Sequence, residues 1–197
     1  GLRADPDYAA TVARYNAPVI IMHIQGTPAT MQQNPHYDDL LGEVIAWLRE
    51  GINIATTAGI ARDKIIVDPG IGFGKSFDHS LELLHRLGEL RSLGQPILVG
   101  TSRKGFIGRI LGNLPPEERV FGTAATVALS IVGGADIVRV HDVAAISQVV
   151  KVADAIVRYA PPPPPSPISG EGETITPPSL GEAASPPLPP GGAGGGQ

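Results

Sequence analysis

From Gly1 to about Ala160 the chain alternates between two textures. Short β-branched or apolar runs occur at Pro18–Met22, Lys64–Val67, Pro96–Val99 and Asp136–Val140, and each predicts a strand. Between them lie longer stretches of helical period. Asp38–Arg49 carries Leu40, Leu41, Val44, Ile45 and Leu48, an apolar face recurring at three and four. Phe77–Leu93 and Pro116–Val132 read the same way, and Thr126–Val132 is apolar on every side, which predicts a well-buried helix. The order is a helix followed by four strand–helix units. Near-continuous apolar strands that alternate with helices predict a parallel sheet covered on its outer face.

Alternation alone does not separate a doubly wound sheet from a barrel. The polar residues do. Each predicted strand runs into a cluster of Gly, His or charged residues: MHIQGTP at 22–28, DPGIGFGK at 68–75, GTSRKGFIG at 100–108 and RVHD at 139–142. A doubly wound sheet gathers its ligand groups at one switch point. A barrel gathers them from many strand ends. The predicted class is therefore α/β, with about four β/α units of a TIM (β/α)8 barrel over residues 1–160.

Composition sets the remaining limits. Past Ala160 the chain is rich in Pro and Gly, with no aromatic residue and no Lys or Arg. Residues 161–197 are expected to form a disordered low-complexity tail, because they bury too little apolar surface to offset their ordering entropy. Pro161–Pro165 predicts polyproline II. The whole chain has 42% hydrophobic residues, 17% charged residues, a net charge of −4 and no cysteine. That balance gives no reason to expect nucleic acid or membrane as partners, and the lack of cysteine excludes disulfides and thiolate metal sites. A soluble cytoplasmic protein is the expectation.

The strand-end clusters supply the candidate chemistry, each with a plainer alternative. Asp68 offers two acceptors in one plane, which suit a guanidine-like edge, or it caps its own turn. Residues 70–76, GIGFGKS, resemble a phosphate loop but fail that pattern, because Pro69 stands where a Gly is required. The glycines there either bring backbone N–H groups to a ligand, with Phe73 covering it, or form a tight strand-to-helix turn. Ser102, Arg103 and Lys104 follow a buried strand, so at least one is expected to point into the barrel mouth; the alternative is a solvated basic loop. Arg139 and His141, two apart, share a strand face and need an anionic or hydrogen-bonded partner, with Val138 and Val140 opposite. The alternative is a structural pair with Asp142. Met22 is expected to pack against a ligand ring or the core. His23 is open between a core histidine and a ligand contact. His36, His79 and His85 are expected at the surface.

Together, MHIQGTP, DPGIGFGK, GTSRKGFIG and RVHDV resemble the dihydropteroate synthase family in order and separation, over Gly1 to about Tyr159. The segment Pro116–Gly134 is similar to that family's penultimate barrel helix. The resemblance implies a TIM barrel that joins 6-hydroxymethyl-7,8-dihydropterin diphosphate to p-aminobenzoate, releasing diphosphate, with Mg²⁺. It implies small-molecule substrates and a homodimer. On the same basis Asp68 and Lys104 hold the pterin and Met22 lines its pocket. Arg139 and His141 hold the diphosphate, with Lys104 the third residue of the catalytic set. Ser102, Gly72 and Phe73 face p-aminobenzoate, and Arg103 joins the substrate-binding group.

The family's N-terminal half has no counterpart here, and with it goes the Asn that binds Mg²⁺. No metal ligand is therefore expected among these residues. Gly1 follows the position of the fourth strand's Asn-Asp-Val motif, so the chain alone is expected to be inactive. Two competing readings are a non-catalytic half-barrel that binds a pterin or an anion or assembles with another chain, and a pterin-barrel methyltransferase. The latter has no diphosphate to engage Arg139 and His141.

Overall fold

The computed structural model describes residues 2–160. Gly1 and the predicted tail, 161–197, lie outside the described residues.

A short helix, α1 (Tyr8–Arg14), precedes the first strand, β1 (Val19–Met22). Helix α2 (Leu40–Thr57) returns the chain to β2 (Ile65–Asp68). The Asp39 carboxylate caps α2 by accepting the Gly42 N–H at 3.1 Å, while Glu43 accepts the N–H groups of Asp38 and Asp39. The helix runs past the predicted end at Arg49 because its apolar face continues through Ile52 and Ala55. Gly51 does not stop it. A methyl group at Gly51 would lie 2.8 Å from the Ile21 side chain, so the bare backbone lets α2 approach β1 closely.

Helix α3 (Phe77–His85) starts with a capping box, in which Ser76 accepts the His79 N–H and the His79 ring accepts the Ser76 N–H. The predicted helix through Leu93 changes pitch, because Leu87–Leu93 winds as a 3₁₀ segment. Leu87, Leu90 and Leu93 are all buried, and their three-residue spacing matches that tighter turn. Strand β3 (Leu98–Val99), helix α4 (Gly105–Ile110), helix α5 (Val120–Val132), strand β4 (Ile137–Val138) and helix α6 (Val143–Val157) complete the order. The last two strands are shorter than predicted.

All strand pairing is parallel. β1 pairs β2 from Val19↔Ile65 to Met22↔Asp68, and β3 pairs β4 at Leu98↔Ile137 and Val99↔Val138. A Val67↔Ile97 bridge, with the Val67 N–H donating to Pro96 O at 2.9 Å, joins the two pairs. The strands thus follow one another as β1–β2–β3–β4. The main core lies between this sheet and helices α2 and α3, with Val44, Leu48, Ile65, Val67, Leu83 and Leu87 fully buried. Each such side chain contributes about 1.5–3 kcal/mol by leaving water.

A second, small cluster centres on Val127, Ile131 and Ile146, where α5 meets α6. Here the expectation of a well-buried Thr126–Val132 helix is corrected. Leu129 and Val132 are 65% and 66% exposed. The described fold supplies one layer against α5, and an all-round apolar helix needs two. No helix among the described residues is long and apolar enough to cross a membrane.

Candidate active site

The parallel strands deliver all four sequence clusters to one end of the sheet. Asp68 ends β2 and is 3% exposed. Its Oδ1 accepts the Gly70 N–H at 2.7 Å, which is the turn-capping geometry, and Oδ2 takes no hydrogen bond among the described residues. Burial pushes its pKa above the usual carboxylate value, against the Gly70 hydrogen bond and the nearby charges of Arg139, Lys104 and Lys75. Gly70 adopts φ +67°, and a Cβ there would meet His23 O at 2.0 Å, so only glycine lets this loop close on the end of β1.

Lys104 reaches back over the same loop. Its Nζ donates to Ile71 O at 2.8 Å and stands 3.9 Å from the centre of the Phe73 ring. Burial lowers its pKa to about 8, with the Asp68 charge opposing the shift. Lys75, 3% exposed, donates to Phe73 O at 3.0 Å and pairs with His23 Nδ1 at 2.8 Å. Its pKa falls to about 7, chiefly from burial. The His23 pKa falls to about 3 through burial and then the Lys75 charge, so the imidazole is neutral, with Nδ1 accepting from Lys75 and the proton on Nε2. Trp47 and Tyr37 pack on that ring, and the Tyr37 hydroxyl donates to Gly74 O at 2.7 Å.

Ser102, Lys104, Arg139 and His141 line one cleft of about 320 Å³ with Phe73, Gly100 and Val140. The Ser102 hydroxyl accepts the His141 N–H at 3.1 Å and lies 2.9 Å from His141 Nδ1. Arg139 is exposed, and a methyl at Gly100 would crowd its guanidinium at 3.3 Å. The cleft therefore presents cations and hydroxyl or imidazole groups over an aromatic ring, beside a buried carboxylate. That set suits an aromatic heterocycle carrying a polyanion.

Four of the sequence-named residues, Met22, Asp68, Gly72 and Arg103, do not line this cleft. Met22 lines a separate hollow with Arg3, Ile20 and Trp47, and its side chain approaches Gly70. Arg103 directs its guanidinium to Asp142. Asp142 is thus taken by Arg103, not by Arg139 or His141. Val140 shares the cleft with Arg139 and His141 instead of facing away. Gly72 carries Gln32 on its carbonyl, with Nε2 donating at 2.7 Å. His36 and His85 are exposed, but His79 is half-buried in the Ser76 box and against Tyr37. Lys75 ends the Gly-rich string, but neither the phosphate-loop spacing nor the turn pattern of that string singles it out as a site residue.

Residues 1–141 match the family described as pterin binding enzyme. The chain belongs to that family. A dihydropteroate synthase of Synechocystis is 49% identical over 158 residues, covering 80% of this chain and 55% of the relative. A crystal structure of Yersinia pestis dihydropteroate synthase with a sulfonamide drug superposes with a TM-score of 0.76 at 39% identity, over 79% of this chain and 56% of that one. The Stenotrophomonas maltophilia enzyme, with imidazole in its active site, gives 0.77 at 38% identity, over 81% and 60%. The four strands are thus part of a TIM barrel, and the chain spans about half the length of the curated relatives it matches.

Proposed function

We propose that the cleft is the pterin- and diphosphate-handling part of a dihydropteroate synthase site, condensing 6-hydroxymethyl-7,8-dihydropterin diphosphate with p-aminobenzoate. The observation that carries this reading is the convergence of Lys104, Arg139, His141 and Ser102 on one cleft above Phe73, beside buried Asp68. The Asp68 carboxylate accepts from the amino and ring N–H groups of the pterin, and Lys104 donates to its carbonyl side. Arg139 and His141 grip the diphosphate. The bond from the exocyclic carbon to the diphosphate oxygen breaks with its electron pair on the leaving group. The ring delocalises the resulting positive charge. The arylamine lone pair forms the new C–N bond, and its proton passes to water or to the departing diphosphate. Positioned cations stabilise the leaving polyanion, so no enzyme nucleophile is needed.

The Mg²⁺ that the resemblance implies finds no fitting donor set in these residues. Among the described residues no three His, Asp or Glu side chains gather to hold a metal, and Asp68 sits among Lys75, Lys104 and Arg139. The proposed enzyme is a cytoplasmic homodimer, and exposed Leu129, Val132 and Ile156 supply an apolar face that supports self-association.

Calorimetry on the chain separates the roles. Asp68→Asn is expected to weaken 6-hydroxymethylpterin by about 2 kcal/mol, since a donor amide then faces donors. Arg139→Ala is expected to weaken inorganic pyrophosphate and leave that pterin nearly unchanged. Equal losses for both probes in Arg139→Ala refute the assignment. Turnover is expected only when the chain is mixed with a separately expressed N-terminal half of a relative, and robust turnover by the chain alone contradicts that expectation.

A further inference from the structure

Backbone pairing between β3 and β4 ends where the cleft begins. Its last bond is the Arg139 N–H donating to Val99 O at 3.0 Å. Beyond it, two side-chain rungs continue the junction. Ser102 meets His141 through its hydroxyl, and Arg103 meets Asp142 through a two-pronged ion pair, with Nε to Oδ2 at 3.0 Å and a terminal nitrogen to Oδ1 at 2.5 Å. Ser102 and Arg103 are neighbours in sequence, as are His141 and Asp142, so the rungs lie one behind the other.

The backbone of Arg103 is held to suit this arrangement. Arg103 has φ +57°, a left-handed conformation that a residue with a side chain adopts only under constraint. The constraint comes from both sides. Its N–H donates to the fully buried Thr123 hydroxyl at 3.1 Å, and its carbonyl accepts from Arg119 at 2.8 Å. Arg119 reaches that carbonyl across Gly108, where a methyl group would lie 2.5 Å from the guanidinium. Neither Arg103 nor Asp142 lines the cleft.

We infer that Arg103 and Asp142 are positioning residues that clamp the two cation-bearing loops together, fixing the spacing of Lys104 from Arg139 and His141 for a diphosphate. This rests on the proposed anion-binding role of the cleft. A forked Arg–carboxylate pair fixes direction as well as distance, which a single contact does not.

The clamp and simple electrostatics predict opposite signs. Removing the Asp142 charge beside a cationic cleft strengthens anion binding if only Coulomb forces act. If the clamp operates, Asp142→Asn weakens it. The test titrates inorganic pyrophosphate into the full chain and its variants. Asp142→Asn is expected to lose about tenfold in affinity, and Asp142→Glu to recover most of it, because misplaced binding groups lose much of their effect. Arg103→Gly keeps the left-handed backbone without strain and is expected to lose a similar factor. The double variant is expected to be no weaker than either single one. Asp142→Asn is expected to leave 6-hydroxymethylpterin binding unchanged.

Unchanged or tighter pyrophosphate binding by Asp142→Asn overturns the clamp and leaves the functional proposal standing. A double variant that returns to wild-type affinity also overturns it, since cancelled charges then explain the data. Equal loss of both probes reduces the pair to a general structural role. A wild-type chain that does not bind pyrophosphate removes the functional proposal and the clamp together.

Discussion

Ile146 and Ile156 sit on the same helix, yet one is 1% exposed and the other 71%. The contrast extends to whole regions. Around β1, β2, α2 and α3, apolar side chains meet a sheet on one side and neighbouring helices on the other, and the core is continuous. Around α5 and α6 the same residue types share only a small cluster with Val138 and Val140, and Phe121, Leu129, Val132, Val152 and Ile156 remain largely exposed. Apolarity states what a residue gains from burial. Only a second packed layer decides whether the gain is realised.

Substitution tests that contrast most directly. Leu48→Ala, in the continuous core, is expected to cost about 3 kcal/mol in a denaturant titration, from lost transfer energy and a residual cavity. A cost below about 1 kcal/mol would mean that the core is looser than the structure describes.

The titratable groups sharpen the same comparison, because His23 and Lys75 are buried on the β1–β2 side. Both have lowered folded pKa values, about 3 against an ordinary 6.5 and about 7 against 10.5. Over each interval the unfolded chain binds more protons than the folded one, so stability rises with pH. From these two groups, stability is expected to fall as pH drops from 6.5 toward 3, with the raised Asp68 carboxyl opposing part of that loss, and to climb from about pH 7 toward 10.5. Lys75→Met is expected to flatten the upper slope, leaving the smaller part from Lys104. An unchanged slope in that variant removes Lys75 as its source.

The Lys104 pKa of about 8 gives a local check. In isotope-edited NMR its side chain is expected to titrate near pH 8 in the free chain and higher with pyrophosphate bound, because a nearby anion favours the ammonium. No upward movement separates Lys104 from the anion.

The smallest effect belongs to the exposed face. Leu129→Gln and Ile156→Gln are each expected to change stability by less than about 0.5 kcal/mol. They are also expected to reduce concentration-dependent association, as measured by sedimentation. A larger loss of stability would show that these side chains already have cover.

Much of this was legible in the sequence. The four apolar runs predicted the strands, and their polar ends predicted where side chains gather. Pitch and extent were less legible. The three-residue spacing of Leu87, Leu90 and Leu93 forecasts the 3₁₀ turn only once burial is known. Gly51 resembles a helix end until Ile21 is seen against it. The partners of Arg103 were not legible at all. Thr123 and Asp142 lie 20 and 39 residues away, and no local period encodes a contact at that distance.

Lys104 and Lys75 share one habit. Each rests on a backbone carbonyl of the Gly-rich loop, Ile71 O for the first and Phe73 O for the second. A carbonyl is present whatever side chain its residue bears. The loop can therefore exchange the ring at position 73 for another over evolutionary time, altering what the cleft selects, while both ammonium groups keep their footing. Selectivity and charge placement are free to drift separately in this loop.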